Sequence, residues 1–443
     1  MKRRMRALIL TSSLVLLAIR VVAQDKFILH ADTAKVPGIA ATYGLTVLDQ
    51  VPSHNISLVS GPTGVPDPEV LGEVDSDGDV EYFEVAGRGI APETVANIQL
   101  NQSTTAILDN LGGRTLTTYF GVTTVSNYVN QPAAQIINLA TAQSTYNATG
   151  AGVVAIIDTG IDPNHLVLAN VIVPGYDFTR NQAGIPNEMN DLDPNTATLL
   201  QSKTNELGKS NVAALNQSTT AILDGNQASA INPANLPAAF GHGTMVAGIV
   251  HLVAPTAKIM PLKAFKADGS ASTYDIIRAI YYAVDNGASV INMSFSLVDP
   301  SSEFVRAVNY ATEHGVDCVS SVGNNGKETM LYPASMVNVL GVASTDNNDQ
   351  RSTFSNYGSS LAHLAAPGEA IVTTYPGNNY AGAWGTSFSA PFVTGTIALF
   401  EQFQPGLYIH DAADAISHAK ALSLSLGYGR LDVAQAVSEV APH

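Results

Sequence analysis

The stretch Gly385–Pro391 (GTSFSAP) places Ser387 just before an apolar run, Ala390–Phe400, that predicts a buried helix. A serine at such a junction has its hydroxyl exposed, and the backbone N–H groups of the first helical turn lie near it. This setting suits a nucleophile, although serine before a helix is also the commonest N-cap. The stretch therefore indicates chemistry only if the rest of the chain supplies a base, an acid and an oxyanion donor.

Short apolar strands alternate with helices from Gly152 onward. The predicted strands are Val153–Ile157, Ile259–Leu262, Ala288–Met293, Val316–Val322 and Val337–Val342. The predicted helices are Thr244–Val253, Tyr274–Asn286, Glu303–His314 and Ala390–Gln404. Fully apolar strands in alternation with helices predict an α/β fold, with a mostly parallel sheet covered on both faces. In such sheets the functional residues collect at the carboxyl ends of the strands.

Three polar residues stand where this sheet would place them. Asp158 ends the first core strand, and a carboxylate there needs a partner such as a histidine. His242 begins an apolar helix, and the glycines on either side of it would let a substrate chain come close. Asn324 follows another core strand, and its side-chain amide can donate a hydrogen bond to a developing oxyanion.

Together with Ser387, these residues fit the roles of a catalytic triad and its oxyanion donor. His242 would take the proton of Ser387 and return it to the leaving amine, while Asp158 holds the imidazole in the required tautomer. The chain order Asp, His, Ser differs from that of chymotrypsin and of the α/β-hydrolases. The motifs IIDTGID, GHGTMVAG, VGNNG and GTSFSAP resemble those of the subtilases, the subtilisin-like serine proteases, and the similarity covers roughly residues 130–437.

The resemblance implies a subtilisin-like three-layer peptidase domain over residues 131–443. It also implies a secreted serine endopeptidase that cleaves peptide bonds through an acyl-enzyme intermediate. The residues expected to hold an extended polypeptide substrate as an added strand are Ser294, Phe295, Ser296, Gly269 and Gly323. Two positions depart from the family pattern: Phe388 replaces a usual methionine, and Ser296 replaces a usual glycine and would narrow the entrance of the primary pocket.

The first 90 residues predict two further regions. Residues 1–23 have a basic start, an apolar run and a small-residue cleavage site, which together predict a secretory signal. The apolar run, Ala7–Ile19, is shorter than the roughly 20 residues that a membrane anchor needs. Residues 24–90 predict a small α+β domain that ends with the strand Val80–Val85 (VEYFEV). By the resemblance, this domain is the family's pro-domain, which acts as a folding chaperone and intramolecular inhibitor.

Two polar regions carry an internal duplication. The predicted linker, residues 91–130, contains Leu100–Asp109 (LNQSTTAILD), and the same ten letters recur at Leu215–Asp224 in a predicted insert, residues 180–239. We expect the insert to be a long irregular loop and each repeat to be a surface hairpin without chemistry, because Thr-Thr-Ala-Ile-Leu favours strand over helix. Maturation would cut the chain between about residues 90 and 135.

Composition excludes several classes of partner. The 443 residues carry a net charge of −16, which repels nucleic-acid phosphates and anionic membranes. The single cysteine, Cys318, lies in an apolar run and is expected to be buried and inert, so no internal disulfide can form. We expect an exported monomer whose stability comes from its apolar core.

The sequence predicts no required cofactor. After His165 the chain lacks the acidic residue that binds calcium in subtilisin, and the calcium-binding loop found there after the catalytic-histidine helix is absent. We therefore expect loss of the high-affinity calcium site, while weak calcium binding stays open. His165, His251 and His314 have no partners at metal-ligand spacing and are expected to be packing or surface histidines.

The sequence leaves two alternative functions open. A serine esterase or lipase is disfavoured, because GTSFS lacks the second glycine of the nucleophile elbow and the triad order differs. A binding protein on an inactive protease scaffold would need a permanently blocked cleft, because all four catalytic residue types are present.

Overall fold

The computed structural model describes residues 26–62, 64–65, 67–91, 115–201, 212–214, 222–224, 236–299, 301–407, 409–417 and 419–442. The first of these residues fold as a small α+β unit made of β1 (Lys26–His30), α1 (Val36–Tyr43), β2 (Thr46–Val51), β3 (Ile56–Ser60), α2 (Asp67–Val74) and β4 (Tyr82–Val85). Its strands pair antiparallel in the order β2-β3-β1-β4. One face of this sheet, with Phe27 and Val59, packs against Ile39 of α1 and Val70 of α2.

The following elements build the rest of the molecule. Those before the central sheet are β5 (Arg88–Ile90), β6 (Leu116–Tyr119), β7 (Val122–Val125), α3 (Ser126–Val129), α4 (Pro132–Ile136) and α5 (Leu139–Tyr146). The remaining ones are β8 (Val153–Asp158), β9 (Gly175–Asp177), β10 (Gln182–Gly184), α6 (Pro194–Gln201), β11 (Val212–Ala214), β12 (Ile222–Asp224), α7 (His242–Val253), β13 (Lys258–Lys263), β14 (Ser270–Ser272), α8 (Thr273–Asp285), β15 (Val290–Met293), β16 (Ser296–Leu297), α9 (Ser302–Glu313), β17 (Asp317–Ser321), β18 (Leu340–Thr345), β19 (Leu364–Pro367), β20 (Ile371–Tyr375), β21 (Asn379–Ala383), α10 (Thr386–Phe403), α11 (Ile409–Ser417) and α12 (Val433–Val440).

The central sheet has eight strands in the order β10-β9-β13-β8-β15-β17-β18-β19. All neighbouring strands in it run parallel, except β10 and β9. Side chains of β8 alternate between two cores: Val154 and Ile156 face the core that contains α7 and α10, whereas Ala155 and Ile157 face the core that contains α8 and α9. The predicted three-layer α/β arrangement is confirmed.

Helices α7 and α10 are buried over most of their length. Every residue of α7 is buried, and α10 is buried from Thr386 to Phe400. Gly395 of α10 lets the two helices come close, because a Cβ at this position would lie 2.6 Å from the Cβ of Val253 in α7. The tight packing fixes where each helix begins, and the predicted site residues His242 and Ser387 lie in those first turns.

The chain before the central sheet is more ordered than predicted. The linker was expected to extend to residue 130, but residues 116–129 form the β6–β7 hairpin and α3. The hydroxyls of Tyr119 and Tyr128 donate to the α7 carbonyls of Leu252 and Gly248, at 2.6 and 2.7 Å. These buried aromatic side chains anchor a segment whose many Thr and Asn residues indicated a linker. Residues 92–114, with the first repeat copy, lie outside the described residues.

The insert at residues 180–239 also begins with ordered structure, so the expectation of an irregular loop is wrong for its first third. β10, a 3-10 turn at Glu188–Asp191 and α6 occupy residues 182–201. Farther on, β12 pairs antiparallel with β11 on one side and with β21 on the other. β12 is the end of the second LNQSTTAILD copy, and its strand conformation agrees with the prediction for that part of the repeat.

The sequence does not predict strand β5, because the VEYFEV strand is the predicted end of the N-terminal domain. β5 leaves the N-terminal sheet and lies between β14 and β16, antiparallel to both. Its centre packs closely on α8, because a Cβ on Gly89 would lie 2.4 Å from Cδ1 of Ile276 and would force that side chain to move. The chain therefore passes from the N-terminal unit into a groove of the domain that contains the central sheet.

Strand β17 begins with a buried acid, Asp317, followed by the fully buried Cys318 that the sequence predicted. Burial raises the pKa of the Cys318 thiol far above its usual range, so the thiol is unreactive. Burial, together with the nearby charge of Glu401, raises the pKa of Asp317 to about 8 from an ordinary value of 3.8. Because ionising Asp317 opposes folding, stability falls as the pH rises from about 4 to about 8.

We expect Asp317→Asn, which mimics the neutral acid, to raise the free energy of unfolding at pH 9 by up to about 5 kcal/mol, and by much less at pH 4. Thermal unfolding of both proteins at the two pH values measures this difference. Asp414→Asn, at an exposed position of α11, is the matched control. A variant that is no more stable than the parent at pH 9 would contradict the assignment.

Candidate active site

The structure brings Asp158 and His242 together in the interior. Asp158 is the last residue of β8 and His242 is the first residue of α7. The Nδ1 atom of His242 lies 2.8 and 2.9 Å from the two carboxylate oxygens of Asp158. Only 1% of His242 and 4% of Asp158 are exposed, so this pair interacts with little screening by water. The carboxylate fixes the Nδ1–H tautomer and leaves Nε2 as the basic nitrogen.

Ser387 lies beside this pair at the start of α10. The helix begins at Thr386, so Ser387 is in the first helical turn and not before the helix. The hydroxyl was expected to be exposed, but in the full chain the exposed fraction of Ser387 is 0%. Its Oγ donates to the carbonyl oxygen of Ser294 at 3.3 Å. The next residue, Phe388, places its ring centroid 5.5 Å from that of His242, which holds the two helix starts against each other.

Asn324 forms hydrogen bonds with Thr386, the residue before Ser387. The backbone N–H and the hydroxyl of Thr386 both donate to Oδ1 of Asn324, each at 2.9 Å. The Thr386 hydroxyl also accepts from the backbone N–H of Gly323 at 3.1 Å. Because Oδ1 is held in this way, Nδ2 is the end of the amide that donates toward other groups. The predicted oxyanion residue is therefore fixed next to Ser387.

Two of the five residues predicted to bind substrate, Ser296 and Gly269, border the groove that β5 occupies. Ser296 pairs with Ile90 of β5, and the carbonyl of Gly269 accepts from the backbone N–H of Ala91 at 3.0 Å. Phe295 differs from the expectation, because its side chain is buried in the core, 5.0 Å from the ring of Phe265. The groove thus presents backbone N–H and C=O groups, whereas the Phe295 side chain belongs to the hydrophobic core.

A second set of polar residues, missed in the sequence, holds Ser294 in place. Thr394 of α10 donates to Oδ1 of Asn292 at 2.9 Å, and Asn292 donates to the Ser294 hydroxyl at 2.9 Å. The Ser294 hydroxyl in turn donates to the carbonyl oxygen of Ser387 at 3.1 Å. Asn292 lies inside a strand that is otherwise apolar, and this was the signal that could have revealed it.

Two ionisable residues near Asp158 were also missed. Lys263 ends β13, and its Nζ donates to the carbonyl oxygen of Thr159 at 2.5 Å and to Asp191 at 2.8 Å. A lysine directly after an apolar strand was a usable signal. Glu188 is fully buried, and its two carboxyl oxygens lie within hydrogen-bond distance of the hydroxyls of Thr159 and Thr244. It stands alone in a polar stretch, where no local pattern singles it out.

The other histidines pack as predicted. His165 is fully buried with Nε2 2.9 Å from the carbonyl oxygen of Asn379, and the ring of His251 lies 3.2 Å from the Tyr128 hydroxyl. Burial lowers the pKa of His251 to about 3, so this ring is neutral at physiological pH. Within the part of the chain that the structure describes, no three His, Cys, Asp or Glu side chains group so that they could hold a metal ion.

Comparison with known proteins identifies the family. The model of the subtilase family of peptidases matches residues 150–431, more than half of the chain. The chain belongs to the subtilase family. The resemblance drawn from the four motifs is confirmed, and the protein is a serine endopeptidase of the subtilisin type.

Several relatives are about a third identical to this subtilase over the segments that align. Thermitase of Thermoactinomyces vulgaris is 34% identical over 263 residues, which are 57% of this chain and 76% of thermitase. The thermophilic serine proteinase of Bacillus sp. (strain AK1) is 33% identical over 290 residues, 64% of this chain and 61% of the relative. Subtilisin Savinase of Lederbergia lenta is 38% identical over 196 residues, 42% of this chain and 71% of Savinase.

Solved structures agree with the fold. Fervidolysin from Fervidobacterium pennivorans superposes with a TM-score of 0.67 at 19% identity, and the match covers 95% of this chain and 61% of fervidolysin. The epidermin leader peptide processing serine protease of Staphylococcus aureus gives a TM-score of 0.62 at 18% identity, covering 94% of this chain and 99% of that protein. At these identities the likeness supports the fold alone.

We expect Thr386→Val to lower kcat about tenfold with little change in KM, because valine keeps the shape but loses both side-chain hydrogen bonds that place Asn324 and Gly323. Steady-state kinetics on a peptide substrate measures both constants. Thr386→Ser keeps the hydroxyl and should retain activity close to that of the parent. Equal kcat values for the Val and Ser variants would show that Thr386 does not position the site.

Proposed function

We propose that Asp158, His242, Ser387 and Asn324 carry out peptide-bond hydrolysis in this subtilase. The observation that carries the proposal is the buried pair of hydrogen bonds from His242 Nδ1 to the Asp158 carboxylate, 2.8 and 2.9 Å long. This pair leaves Nε2 of His242 as the base that receives the proton of Ser387.

In this mechanism Oγ of Ser387 attacks the carbonyl carbon of the scissile bond while its proton passes to His242. The oxyanion that forms accepts hydrogen bonds from Asn324 Nδ2 and from the backbone N–H groups at the start of α10. The tetrahedral intermediate then expels the amine, which takes the proton from His242, and an acyl-enzyme remains. A water molecule then attacks the acyl-enzyme while its proton passes to His242, and the carboxylic acid product is released as Ser387 regains its proton. Asp158 stabilises the imidazolium, and its effect is large because the pair is buried.

We propose an unfolded or extended polypeptide as the substrate, bound as a strand between β14 and β16. Support comes from β5, whose backbone already makes such bonds in the same groove. The N–H of Val298 donates to the carbonyl oxygen of Arg88 at 2.9 Å, and the N–H of Ala91 donates to Gly269 at 3.0 Å. Backbone pairing of this kind accepts many sequences, while side-chain pockets give selectivity.

We expect Ser387→Ala to lower kcat on a protein substrate such as casein by roughly 10⁶-fold, the loss found for the serine of subtilisin. EDTA should leave the rate of the parent enzyme unchanged, because the proposed chemistry uses no metal. Equal cleavage by the parent and the variant would contradict the mechanism. Ester hydrolysis without protein cleavage would favour an esterase, and no hydrolysis by the mature parent would favour a binding protein.

We also propose that residues 24–90 are a pro-domain that inhibits the enzyme within the same chain. β5 runs along the groove toward Ser387, because Ile90 pairs with Ser296, two residues after the Ser294 that contacts Ser387. The segment that precedes the maturation cut would occupy the position that β5 has in the groove. We place the maturation cut after Ala91 and before about residue 135, within the range predicted from the sequence.

Contacts outside the groove support the same role. The Glu84 carboxylate accepts from the Ser301 hydroxyl at 2.6 Å and from the backbone N–H of Ser302 at 2.7 Å, which caps the N-terminus of α9. Nδ1 of His30 lies 2.8 Å from the buried Glu303 carboxylate. The N-terminal unit thus docks on α9 as well as entering the groove.

We also propose that the protein is exported and monomeric. The predicted signal, residues 1–23, lies outside the described residues. Among the residues that are described, no helix combines the length and apolarity that crossing a bilayer requires. We propose secretion after signal removal, with no membrane or nucleic-acid partner, and at most weak calcium binding.

We expect Gly89→Val to slow self-processing of the full-length precursor at least about tenfold, because the new side chain would overlap Ile276 and keep β5 out of the groove. Gly72→Val, on α2 where a Cβ would meet no atom within 4 Å, is the matched control for the same substitution in the same unit. Gel electrophoresis follows the half-time, and N-terminal sequencing of the product locates the cut. Equal half-times for the two variants would contradict the role of β5.

A further inference from the structure

Glu188 connects the two elements that carry Asp158 and His242. It begins the 3-10 turn Glu188–Asp191 and is fully buried. Its Oε1 makes a short hydrogen bond with the hydroxyl of Thr159, the residue after Asp158. Its Oε2 accepts from the hydroxyl and the backbone N–H of Thr244, two residues after His242, at 2.5 and 3.2 Å. One carboxyl group therefore holds the end of β8 against the start of α7.

The Thr159 hydroxyl has a single hydrogen, which limits the possible directions of the hydrogen bonds around it. The Thr159 hydroxyl lies within hydrogen-bond distance of two carboxyl groups, Glu188 Oε1 and Asp158 Oδ1, the latter at 3.1 Å. It also accepts from the backbone N–H of Gly243 at 3.0 Å. A hydroxyl has one hydrogen to donate, so it cannot donate to both carboxyl groups. If Glu188 carries a proton on Oε1, it donates to Thr159, and Thr159 donates to Asp158.

The bonds of Thr244 agree with this arrangement. Its hydroxyl accepts from the backbone N–H of Asp162 at 2.8 Å, so its own hydrogen is available for Glu188 Oε2. Oε2 is thus an acceptor only, so a proton on the Glu188 carboxyl group would lie on Oε1. With neutral Glu188, each of these polar atoms has a donor or an acceptor of the right kind.

We propose that Glu188 is a positioning residue of the catalytic site, which as a neutral acid donates to Thr159 and so turns the Thr159 hydroxyl toward Asp158. The inference rests on the proposed roles of Asp158 and His242. The resulting chain of hydrogen bonds runs from Glu188 through Thr159 to Asp158 and on to His242.

The titratable groups around Glu188 lie on three neighbouring strands. Asp158 lies on β8, Lys263 on β13 and Tyr375 on β20, and Lys263 is also paired with Asp191 of the Glu188 turn. Burial raises the pKa of Glu188 to about 7, while the Thr159 and Thr244 hydrogen bonds and the Lys263 charge act in the opposite direction. Below about pH 7 the acid is neutral and the chain is complete. Above it, the ionised carboxylate takes the Thr159 hydrogen and adds a negative charge near His242.

Glu188→Gln is the informative variant, because its amide N–H replaces the acid O–H toward Thr159 and its carbonyl accepts from Thr244 at every pH. We expect the kcat of the Glu188→Gln enzyme at pH 6 to stay within about twofold of that of the parent. The apparent pKa in the pH profile of kcat/KM should lie about 0.5–1 unit lower for the variant than for the parent. Glu188→Ala loses both contacts, and we expect kcat to fall about 10–100-fold with KM changed less than about threefold.

The kinetics are measured on mature enzyme obtained from the full-length chain, with kcat expressed per active site titrated by a covalent serine reagent. Unfolded molecules are then not counted, and if Glu188→Ala gives no titratable sites, the Gln variant decides. A Gln variant as impaired as Ala, or one with the parent's pH profile, overturns the inference, as does an Ala variant with the parent's kcat. Activity that survives Ser387→Ala refutes the proposed function instead, so the two failures are distinguishable.

Discussion

The Asp158 carboxylate lies in the interior at the end of a parallel strand, and a charge there requires partners. His242 supplies one partner and Thr159 another, through its N–H at 2.7 Å. To reach Asp158, α7 must begin at the edge of the sheet, and its fully buried length then determines where α10 can pack. The position of Ser387 follows from that packing. A single buried charge thus constrains the geometry of the whole site.

The sequence predicted the residues whose place depends on periodicity alone. Asp158, His242, Asn324 and Ser387 each adjoin an apolar strand or helix, and in a parallel sheet those ends meet at one edge. Residues whose role depends on a distant hydrogen bond were not predictable in this way. Glu188 stands 29 residues from Thr159 and 56 from Thr244, in a stretch without periodicity. Its role appears only when three elements are brought together.

Contacts between distant parts of the chain also account for the differences at element boundaries. The segment around Tyr119 and Tyr128 has the composition of a linker, but its two buried hydroxyls bind carbonyls of α7. β5 has only three residues, one of them a glycine, and it is a strand because β14 and β16 offer free edges on both sides. Short elements of this kind take their conformation from the surface that receives them, and local sequence carries little information about it.

The groove that receives β5 is bordered by two strand edges, so it is two strand spacings wide, about 10 Å. A helix with its side chains has about the same diameter as the whole groove and presents no free backbone groups to either edge. A polypeptide segment can bind in this groove only in an extended conformation, after it has separated from its own helix or sheet. In terms of substrate choice, the enzyme would therefore respond first to how readily a segment of its target unfolds, and only then to which side chains that segment carries.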